Sequence, residues 1–327
     1  MLYHPVKIGN IELNGNLFLA PVAGYSDRSF RSICIEKGAS FTYTEMVSAE
    51  ALVRKNLKTE ILMRRAENEK VYSVQIFGGE PEKMADACQI VIEKTSCECI
   101  DINCGCPVPK IVKTGAGSAL TKNPEMLKKV VKAVVNAANG RATVTVKIRS
   151  GWDESSITYK EAALAALDAG ANAITLHPRT KAQGYDGKAD WKKLSELVKL
   201  VNGAVPVFGS GDLFKPEDAK KMLSETGVDG VMFARGAMGN PFIFTETIQL
   251  LRDGSFKEIP IEERIRTGFR ELKMLISDTN EKSACMEMRK RFCAYSKGIH
   301  GGAELRQKVI HASSEEEYHK IFDSFIN

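Results

Sequence analysis

The chain has 327 residues, of which 27% are charged and 43% are hydrophobic, and its net charge is +5. This composition is typical of a soluble globular protein, and no apolar run approaches the roughly 18 residues that a membrane-spanning helix needs. Residues 1–5 lack the features of a signal peptide, and eight cysteines in so long a chain do not indicate a disulfide scaffold. We therefore expect free thiols and a cytoplasmic protein.

The predicted elements begin with a small hairpin within residues 1–16, where apolar and polar residues alternate around turn dipeptides. Eight short apolar segments follow, and we predict strands at 17–20, 41–44, 72–77, 100–103, 143–149, 173–177, 206–209 and 230–234. Helices are predicted between most of them, at 26–37, 81–94, 124–138, 157–169, 191–201, 216–224 and 241–251. The first helix has Ser26 as its candidate N-cap and Gly38 as its candidate C-cap.

Strands separated by helices are typical of parallel βαβ units, and eight such units match a (β/α)8 TIM barrel, which has ~250 residues. A doubly wound open sheet is the alternative. That fold typically carries a G-x-G-x-x-G turn after an early strand, which this sequence lacks. We therefore predict an α/β barrel domain over residues 1–251.

The remainder of the chain is predicted to contain only helices, at 260–278, 284–298, 303–311 and 315–325. Pro260 suits a first helical position, and Ser313 with Glu316 resembles a capping box for the last helix. We predict a separate small helical bundle domain over residues 252–327.

One segment combines several features of a site. The strand 100–103 stops at Gly105 and Pro107, and a loop from Val108 to Asn123 carries three lysines without an acid. We expect this loop to be mobile and basic. Because loops on a rigid scaffold are where binding and catalytic residues concentrate, we expect chemistry there.

The carboxyl ends of the other strands carry polar, basic and glycine residues. In a (β/α)8 barrel the active site lies at these ends. The predicted ring contains Pro21, Ala23, Gly24, Glu45, Gln75, Asn103, Cys106, Lys147, Arg149, His177, Arg179, Ser210, Gly211, Asp212, Arg235 and Gly236.

Lys147 is predicted to point into the mouth of the barrel, since its neighbours Val146 and Ile148 face outward in an alternating strand. An ammonium group buried there needs an anionic partner. The loops 209–212 and 234–239 are rich in glycine, and a phosphate site after strands seven and eight recurs in such barrels. Together these features indicate a phosphorylated cofactor. The alternatives are that Lys147 extends to solvent and that the glycines serve only to form turns.

His177 is followed by Pro178, which we expect to end the strand and to place the imidazole at the mouth. A purely structural histidine is the alternative. Four cysteines, at positions 97, 99, 104 and 106, suggest a metal site, but they form two C-x-C pairs separated by a strand and not the usual zinc spacing. We therefore expect no metal, and Cys106 as a protonated thiol able to donate a proton.

The helical segment contains an uneven basic cluster, with Arg289, Lys290, Arg291, Lys297, Arg306 and Lys308 against the single acid Glu304. A solvated helix face is the simplest interpretation. Interleaved glycines, a tyrosine and a histidine also suit contacts to the phosphates of a polyanion.

These motifs together resemble those of one family, the FMN-dependent tRNA-dihydrouridine synthases of the bacterial type. The motifs are 19–27 (LAPVAGYSD), 74–78 (VQIFG), 101–107 (DINCGCP), 115–120 (GAGSAL), 176–180 (LHPRT) and 234–239 (ARGAMG). The resemblance covers residues 17–311. It departs from the family at Val22, where methionine is common, and at Cys104, where members vary.

The resemblance implies an FMN barrel and a helical tRNA-binding domain that together reduce C5–C6 of uridine in tRNA, with NADPH as electron donor. It implies that Cys106 is the general acid and that Asn103 positions the uracil. It implies contacts to the flavin from Pro21, Val22, Ala23, Gln75, Lys147, His177, Ser210, Gly211, Asp212, Ala234, Arg235 and Gly236. The candidates for substrate contacts are Asn103, Arg179, Arg289, Lys290, Arg291 and Arg306.

Two other functions remain open at this stage. One is an FMN barrel reductase or dehydrogenase for a free small molecule such as dihydroorotate or dihydropyrimidine, which needs neither the helical tail nor the basic loop. The other is an RNA-binding protein whose barrel has lost catalysis, against which Cys106, Lys147, His177 and Arg235 argue together. The sequence does not determine the uridine position, the tRNAs or the preference for NADPH over NADH. We expect a monomer.

Overall fold

The computed structural model describes residues 1–326. A short antiparallel hairpin, β1 (Val6–Ile8) and β2 (Ile11–Leu13), precedes the main sheet, as predicted. Its apolar residues pack with Phe18, Phe208 and other side chains at the amino-terminal ends of the strands. The hairpin therefore closes the end of the sheet that lies opposite the predicted site.

The main sheet has nine parallel strands in the order β4-β3-β11-β10-β9-β8-β7-β6-β5. The strands are β3 (Leu17–Leu19), β4 (Phe41–Thr42), β5 (Val47–Ser48), β6 (Ser73–Phe77), β7 (Cys99–Cys104), β8 (Thr143–Gly151), β9 (Ala173–Thr180), β10 (Val207–Ser210) and β11 (Gly230–Phe233).

The sheet closes on itself because its two end strands belong to one segment of chain, residues 41–48. A parallel bridge between Tyr43 and Ser73 joins the middle of that segment to β6. The predicted (β/α)8 barrel is therefore confirmed. The second predicted strand is divided in two, and β5 was not predicted because two residues carry no readable periodicity.

Eleven helices accompany the barrel within the described residues. They are α1 (Arg28–Glu36), α2 (Ala49–Val53), α3 (Leu57–Ile61), α4 (Pro81–Thr95), α5 (Pro109–Val112), α6 (Ser118–Lys122), α7 (Pro124–Ala138), α8 (Tyr159–Asp168), α9 (Lys192–Val201), α10 (Pro216–Thr226) and α11 (Ile243–Asp253). The predicted N-cap Ser26 is wrong: Asp27 caps α1, because its carboxylate accepts from two backbone N–H groups of the first turn. The Ser26 hydroxyl instead contacts the backbone of Val22.

Two strands run further than expected. β9 continues to Thr180, so Pro178 does not end it. Proline is tolerated there because pairing with β10 stops at Leu176 and pairing with β8 becomes irregular beyond Arg149. β8 likewise continues to Gly151, so Lys147 lies within the strand and not at its end.

The helical domain contains α12 (Ile261–Asp278), α13 (Glu281–Tyr295), α14 (Gly302–Val309) and α15 (Glu315–Ile326), and it has its own apolar core. The expected capping box of α15 is wrong in both residues. The Ser314 hydroxyl, not that of Ser313, accepts from the Glu317 N–H, and the Glu317 carboxylate, not that of Glu316, accepts from the Ser313 N–H. Glu316 pairs with Lys320. Within the described chain, no helix combines the length and hydropathy that crossing a bilayer requires.

Ion pairs connect the helical domain to the first barrel helix and the loop before it. Arg28 pairs with Asp278, Arg270 with Glu36, and Arg291 with Asp27. The helical domain is therefore anchored beside the carboxyl end of β3, next to the mouth of the barrel.

Candidate active site

A cavity of about 470 Å³ opens at the carboxyl ends of the strands, and it brings most of the predicted site residues together. Every residue predicted to act as the catalytic acid or to contact the cofactor lines it, and so does Asn103. The lining residues include Pro21, Val22, Ala23, Gln75, Asn103, Cys106, Lys147, Arg149, His177, Tyr185, Ser210, Gly211, Asp212, Phe214, Ala234, Arg235 and Gly236.

The loop that carries Cys106 is held from both sides. The Asn103 side-chain oxygen accepts from the N–H of Gly105 at 3.1 Å and from that of Cys106 at 2.9 Å. On the other side, the Ser118 N–H and hydroxyl both donate to the Cys106 carbonyl at 3.0 Å. These bonds hold the backbone that carries the thiol on both sides.

The following segment packs tightly against that loop. Gly117 has a φ of +61°, and a Cβ there would lie 2.6 Å from the Cys106 carbonyl oxygen. The helices α5 and α6 occupy much of the segment that the sequence predicted to be irregular. A glycine is thus required at position 117 for both conformation and space.

The Cys106 thiol is partly buried in the cavity wall. Burial raises its pKa above the ordinary value, although Arg149 and Lys147 act in the opposite direction. A thiol with a raised pKa holds its proton at neutral pH, which is the state that a proton donor requires.

Lys147 presents an unneutralised ammonium to the cavity. Burial and then Arg149 lower its pKa to about 8, while the carboxylate of Asp101 acts in the opposite direction. Among the described residues, no side chain or carbonyl forms a hydrogen bond or ion pair with the Lys147 ammonium. A buried cation without a partner is costly, so an anionic or electron-rich ligand stabilises this arrangement.

The imidazole of His177 is uncharged at neutral pH. Burial, followed by the positive charges of Lys147 and Arg149, holds its pKa well below the usual range. Arg179 Nη1 lies 3.3 Å from His177 Nε2. Because an arginine can only donate, the imidazole accepts at Nε2 and carries its proton on Nδ1.

Arg179 does not reach the cavity. It is 1% exposed, and its guanidinium donates to both carboxylate oxygens of Asp212, at 2.7 and 2.8 Å. It also donates to the Gly187 carbonyl at 2.7 Å. This geometry does not fit the predicted substrate contact, because buried internal partners occupy the side chain, which positions His177 and Asp212 instead.

Arg235 lies between two aromatic rings at the rim of the cavity. Its guanidinium carbon lies 4.5 Å from the centre of the Tyr185 ring and 5.1 Å from that of Phe214. Its nearest carboxylate, on Asp212, is 3.6 Å away. Gly236 allows the chain to pass here, since a Cβ would lie 2.1 Å from the Leu213 carbonyl oxygen. The two rings therefore hold the Arg235 guanidinium in place, and the Asp212 carboxylate compensates its positive charge only in part.

Two lining residues received no role from the sequence. Arg149 donates from Nε to the Gly105 carbonyl at 2.8 Å and thereby braces the Cys106 loop. Its position two residues after Lys147 puts it on the same face of β8, which agrees with its place in the predicted ring. Tyr185 lies in the loop after β9, and no pattern in that loop indicates its place at the cavity.

The basic cluster of the helical domain separates into different environments. Arg289 donates to the carbonyls of Ala312, at 3.0 Å, and His311, at 3.4 Å, while Lys290 is exposed and pairs with Glu287. Arg306 is partly buried.

Arg291 does not fit the predicted contact to RNA. Its side chain is 2% exposed and pairs with both Asp27 and Glu271. Its charge is neutralised inside the protein, so no phosphate can reach it.

The cysteines do not form a cluster. Each of the eight is a free thiol, and Cys99 lies at the start of β7, at the opposite end of the strand from Cys106. In the part of the chain that the structure describes, no group of three or more His, Cys, Asp or Glu side chains could hold a metal ion.

Comparison with protein families gives a match along nearly the whole chain. A model of the dihydrouridine synthase family matches residues 18–326, which include the helical domain. A probable tRNA-dihydrouridine synthase of Treponema pallidum (strain Nichols) is 56% identical over 97% of this chain and 95% of its own length. A tRNA-dihydrouridine synthase B of Vibrio parahaemolyticus is 40% identical over 79% of each chain. A probable tRNA-dihydrouridine synthase 1 of Synechocystis is 34% identical over 99% of this chain and 90% of that relative.

Solved structures resemble the fold at low identity. Histamine dehydrogenase from Rhizobium sp. 4-9 aligns with a TM-score of 0.58 at 12% identity, covering 84% of this chain and 51% of that chain. A DHODH from Eimeria tenella, solved with ferulenol, aligns with a TM-score of 0.53 at 15% identity and covers 77% of this chain and 85% of its own. At these identities the likeness shows the fold alone.

Proposed function

Because this chain belongs to the dihydrouridine synthase family, we propose that it reduces the C5–C6 bond of uridines in tRNA to give 5,6-dihydrouridine. The bound cofactor is FMN, and NADPH is the electron donor. The observation that carries this proposal is a protonated thiol, Cys106, in the same cavity as the unpartnered ammonium of Lys147.

The cavity fits a flavin mononucleotide. Its volume of about 470 Å³ lies within the range of roughly 300–1,000 Å³ that is common for cofactor sites. Lys147 supplies a cation for the electron-rich edge of the ring system, and Arg235 supplies one for the phosphate. The turn Pro21–Ala23 provides an apolar wall of the cavity. The Val22 N–H donates to the Ser26 hydroxyl at 2.9 Å, which fixes this turn.

The reaction adds a hydride at C6 and a proton at C5, and one NADPH is oxidised for each uridine that is reduced. When bound, the flavin supplies the hydride, which it receives from NADPH. Cys106 supplies the proton to C5, and the resulting thiolate is stabilised by the nearby charges of Lys147 and Arg149. Solvent then returns a proton to Cys106.

The remaining side chains bind and orient. Asn103 sits between the Cys106 loop and the cavity, where it can position the uracil. A neutral His177 can donate from Nδ1 without adding charge. The target base must leave its stack to enter the cavity, so the RNA needs an additional docking surface. The exposed Lys290 and the partly buried Arg289 and Arg306 of the helical domain are our candidates for that surface.

The test begins with the visible absorption spectrum of the purified protein. We expect flavin bands that bleach on addition of NADPH, followed by re-oxidation when unmodified tRNA is added and formation of dihydrouridine. Free uracil and orotate serve as controls for a small-molecule reductase. A flavoprotein that re-oxidises only with a free pyrimidine would disprove the tRNA substrate, and a protein that cannot retain FMN would disprove the redox function.

A further inference from the structure

A chain of hydrogen bonds runs through the barrel interior and ends at the backbone of Cys106. Asp101, on β7, is fully buried. One of its carboxylate oxygens accepts from the Thr145 hydroxyl at 2.6 Å, and the other accepts from the Gln75 side-chain amide at 2.6 Å. The Gln75 side-chain oxygen in turn accepts from the Asn103 amide at 2.8 Å. The Asn103 oxygen then accepts from the N–H of Cys106.

The direction of these bonds follows from the carboxylate. An ionised Asp101 can only accept, so Gln75 must turn its NH₂ group toward Asp101 and its oxygen toward Asn103. Asn103 must then turn its NH₂ group toward Gln75. This leaves the Asn103 oxygen facing the backbone N–H groups of the catalytic loop, which is the only orientation in which every bond of the chain is made.

We propose that Asp101 is a positioning residue, which fixes the orientation of the Gln75 and Asn103 amides and thereby the position of the Cys106 thiol for proton transfer. This inference rests on the proposed function. Asp101 touches neither the cavity nor the reacting atoms, so its action passes through two neutral side chains that do line the cavity. One N–H of the Gln75 amide donates to Asp101, and this bond also fixes the direction of the second N–H of the same amide.

Two variants test the proposal. Asp101→Leu removes the acceptor that orients the Gln75 amide, so only the backbone N–H groups of Gly105 and Cys106 still orient the Asn103 amide. Asp101→Asn keeps the shape, and its oxygen can still face Gln75 if the Thr145 hydroxyl accepts from its NH₂ group. Transfer from the reduced enzyme to tRNA is expected to slow roughly 10- to 100-fold in Asp101→Leu, since small misplacements of a reacting group are costly. The loss in Asp101→Asn is expected to be smaller.

The two half-reactions distinguish positioning from general damage. Reduction of the enzyme by NADPH does not require Cys106, so it should change less than the transfer to tRNA. Thr175→Val is the matched control, because the Thr175 hydroxyl is buried in the same barrel and has no hydrogen-bond partner among the described residues. It should leave both half-reactions at the wild-type rate. An equal loss in both half-reactions for Asp101→Leu would overturn the proposal.

The pH profile provides a second readout. Burial raises the pKa of Asp101 to about 6, and protonation converts one acceptor of the chain into a donor. Among the charged and titratable groups that face it, Lys147 on β8 lowers this pKa, whereas burial raises the pKa values of Tyr43, Cys99 and Cys104 far from this range. In the wild type, transfer to tRNA should therefore slow below pH about 6 toward the rate of Asp101→Asn, whose amide mimics the protonated acid. If the rate of transfer to tRNA in Asp101→Asn also decreases below pH about 6, the proposal is contradicted.

Thiol reactivity tests the inference independently of tRNA. Among the eight cysteines, Cys106 and Cys293 are the ones not fully buried, so Cys293→Ser leaves Cys106 as the accessible thiol. In that background we expect Asp101→Leu to change the rate of Cys106 alkylation by iodoacetamide several-fold, and unchanged alkylation would count against the proposal. If the wild type makes no dihydrouridine, the proposed function fails, and alkylation still decides the role of Asp101.

Discussion

Two enclosed cations, Lys147 in the barrel mouth and Arg291 at the domain interface, have opposite surroundings. Within residues 1–326, no side chain forms a hydrogen bond or ion pair with Lys147, and burial lowers its pKa to about 8. Burial alone also lowers the pKa of Arg291, but the carboxylates of Asp27 and Glu271 outweigh it and raise the pKa. An unpartnered cation in a cavity indicates a ligand site, whereas a neutralised one indicates structural support. The predictions below test this difference, from the largest expected effect to the smallest.

We expect the largest difference between the barrel mouth and the helical domain when their accessible thiols are replaced. Cys106 lies in the cavity and Cys293 in the helical domain. We expect Cys106→Ala to slow dihydrouridine formation about 10²- to 10⁴-fold, the usual contribution of a general acid, while NADPH still reduces the enzyme. Stopped-flow absorbance measures both steps. Cys293→Ser is the control, and an equal loss of activity in that variant would show that Cys106 has no special role.

Removal of the interface cation is expected to affect stability. Arg291→Met removes the ion-pair partner of the buried Glu271 carboxylate and of the partly exposed Asp27 carboxylate, and breaking a buried pair in this way typically costs about 3–5 kcal/mol of unfolding free energy. Denaturant unfolding measures this loss. Arg270→Met is the matched control, since it breaks the more exposed pair with Glu36, and such pairs contribute only about 0–1 kcal/mol. Similar losses in the two variants would contradict the distinction between buried and exposed pairs.

Removal of the cavity cation is expected to affect flavin binding and not folding. Lys147→Met deletes a charge-assisted contact, so FMN affinity should fall by about 1.5–3 kcal/mol, or roughly 10- to 100-fold. Titration of the apoprotein with FMN measures it. Stability of the apoprotein should stay the same or rise, because a desolvated ammonium is removed. A destabilised apoprotein with unchanged FMN affinity would make Lys147 a structural cation like Arg291.

The pH dependence of flavin binding follows from the same lysine. Its pKa of about 8 in the apoprotein rises when an electron-rich ligand contacts the ammonium, so binding above pH 8 takes up a proton. FMN affinity should therefore decrease as the pH rises above about 8. In the unfolded chain Lys147 has its ordinary, higher pKa, so above pH about 8 the unfolded chain binds more protons than the folded apoprotein. The free energy of unfolding of the apoprotein should therefore increase as the pH rises above about 8. Both trends should vanish in Lys147→Met.

The smallest expected effects concern the surface of the helical domain. Lys290→Ala and Arg306→Ala should each weaken tRNA binding a few-fold and reduce the salt dependence by about one unit, as expected for single phosphate contacts. Filter binding at several salt concentrations measures both. Lys199→Ala, an exposed position in the last turn of α9 at the opposite end of the barrel, is the control. Equal effects of all three variants would indicate nonspecific electrostatics.

Most of the barrel could be predicted, because its strands and helices are local patterns. The bounds of α7 agree with the prediction, and those of α4 differ by one residue. The short elements failed: β5 and α5 have too few residues for periodicity to be detected. The site residues of the cavity were found for a different reason, since strand ends in a barrel converge regardless of their distance in sequence.

By itself, the sequence determined the elements, the barrel and the identity of the residues at its mouth. It did not determine which of three adjacent cations, Arg289, Lys290 and Arg291, faces solvent. Successive residues on a helix point about 100° apart, so only Arg291 of the three forms an ion pair with the barrel, where Asp27 lies 264 positions away in the chain. The same holds for Asp101, whose partners come from the neighbouring strands β6 and β8. Charge neutralisation and hydrogen-bond direction depend on such distant partners, and only the tertiary structure brings them together.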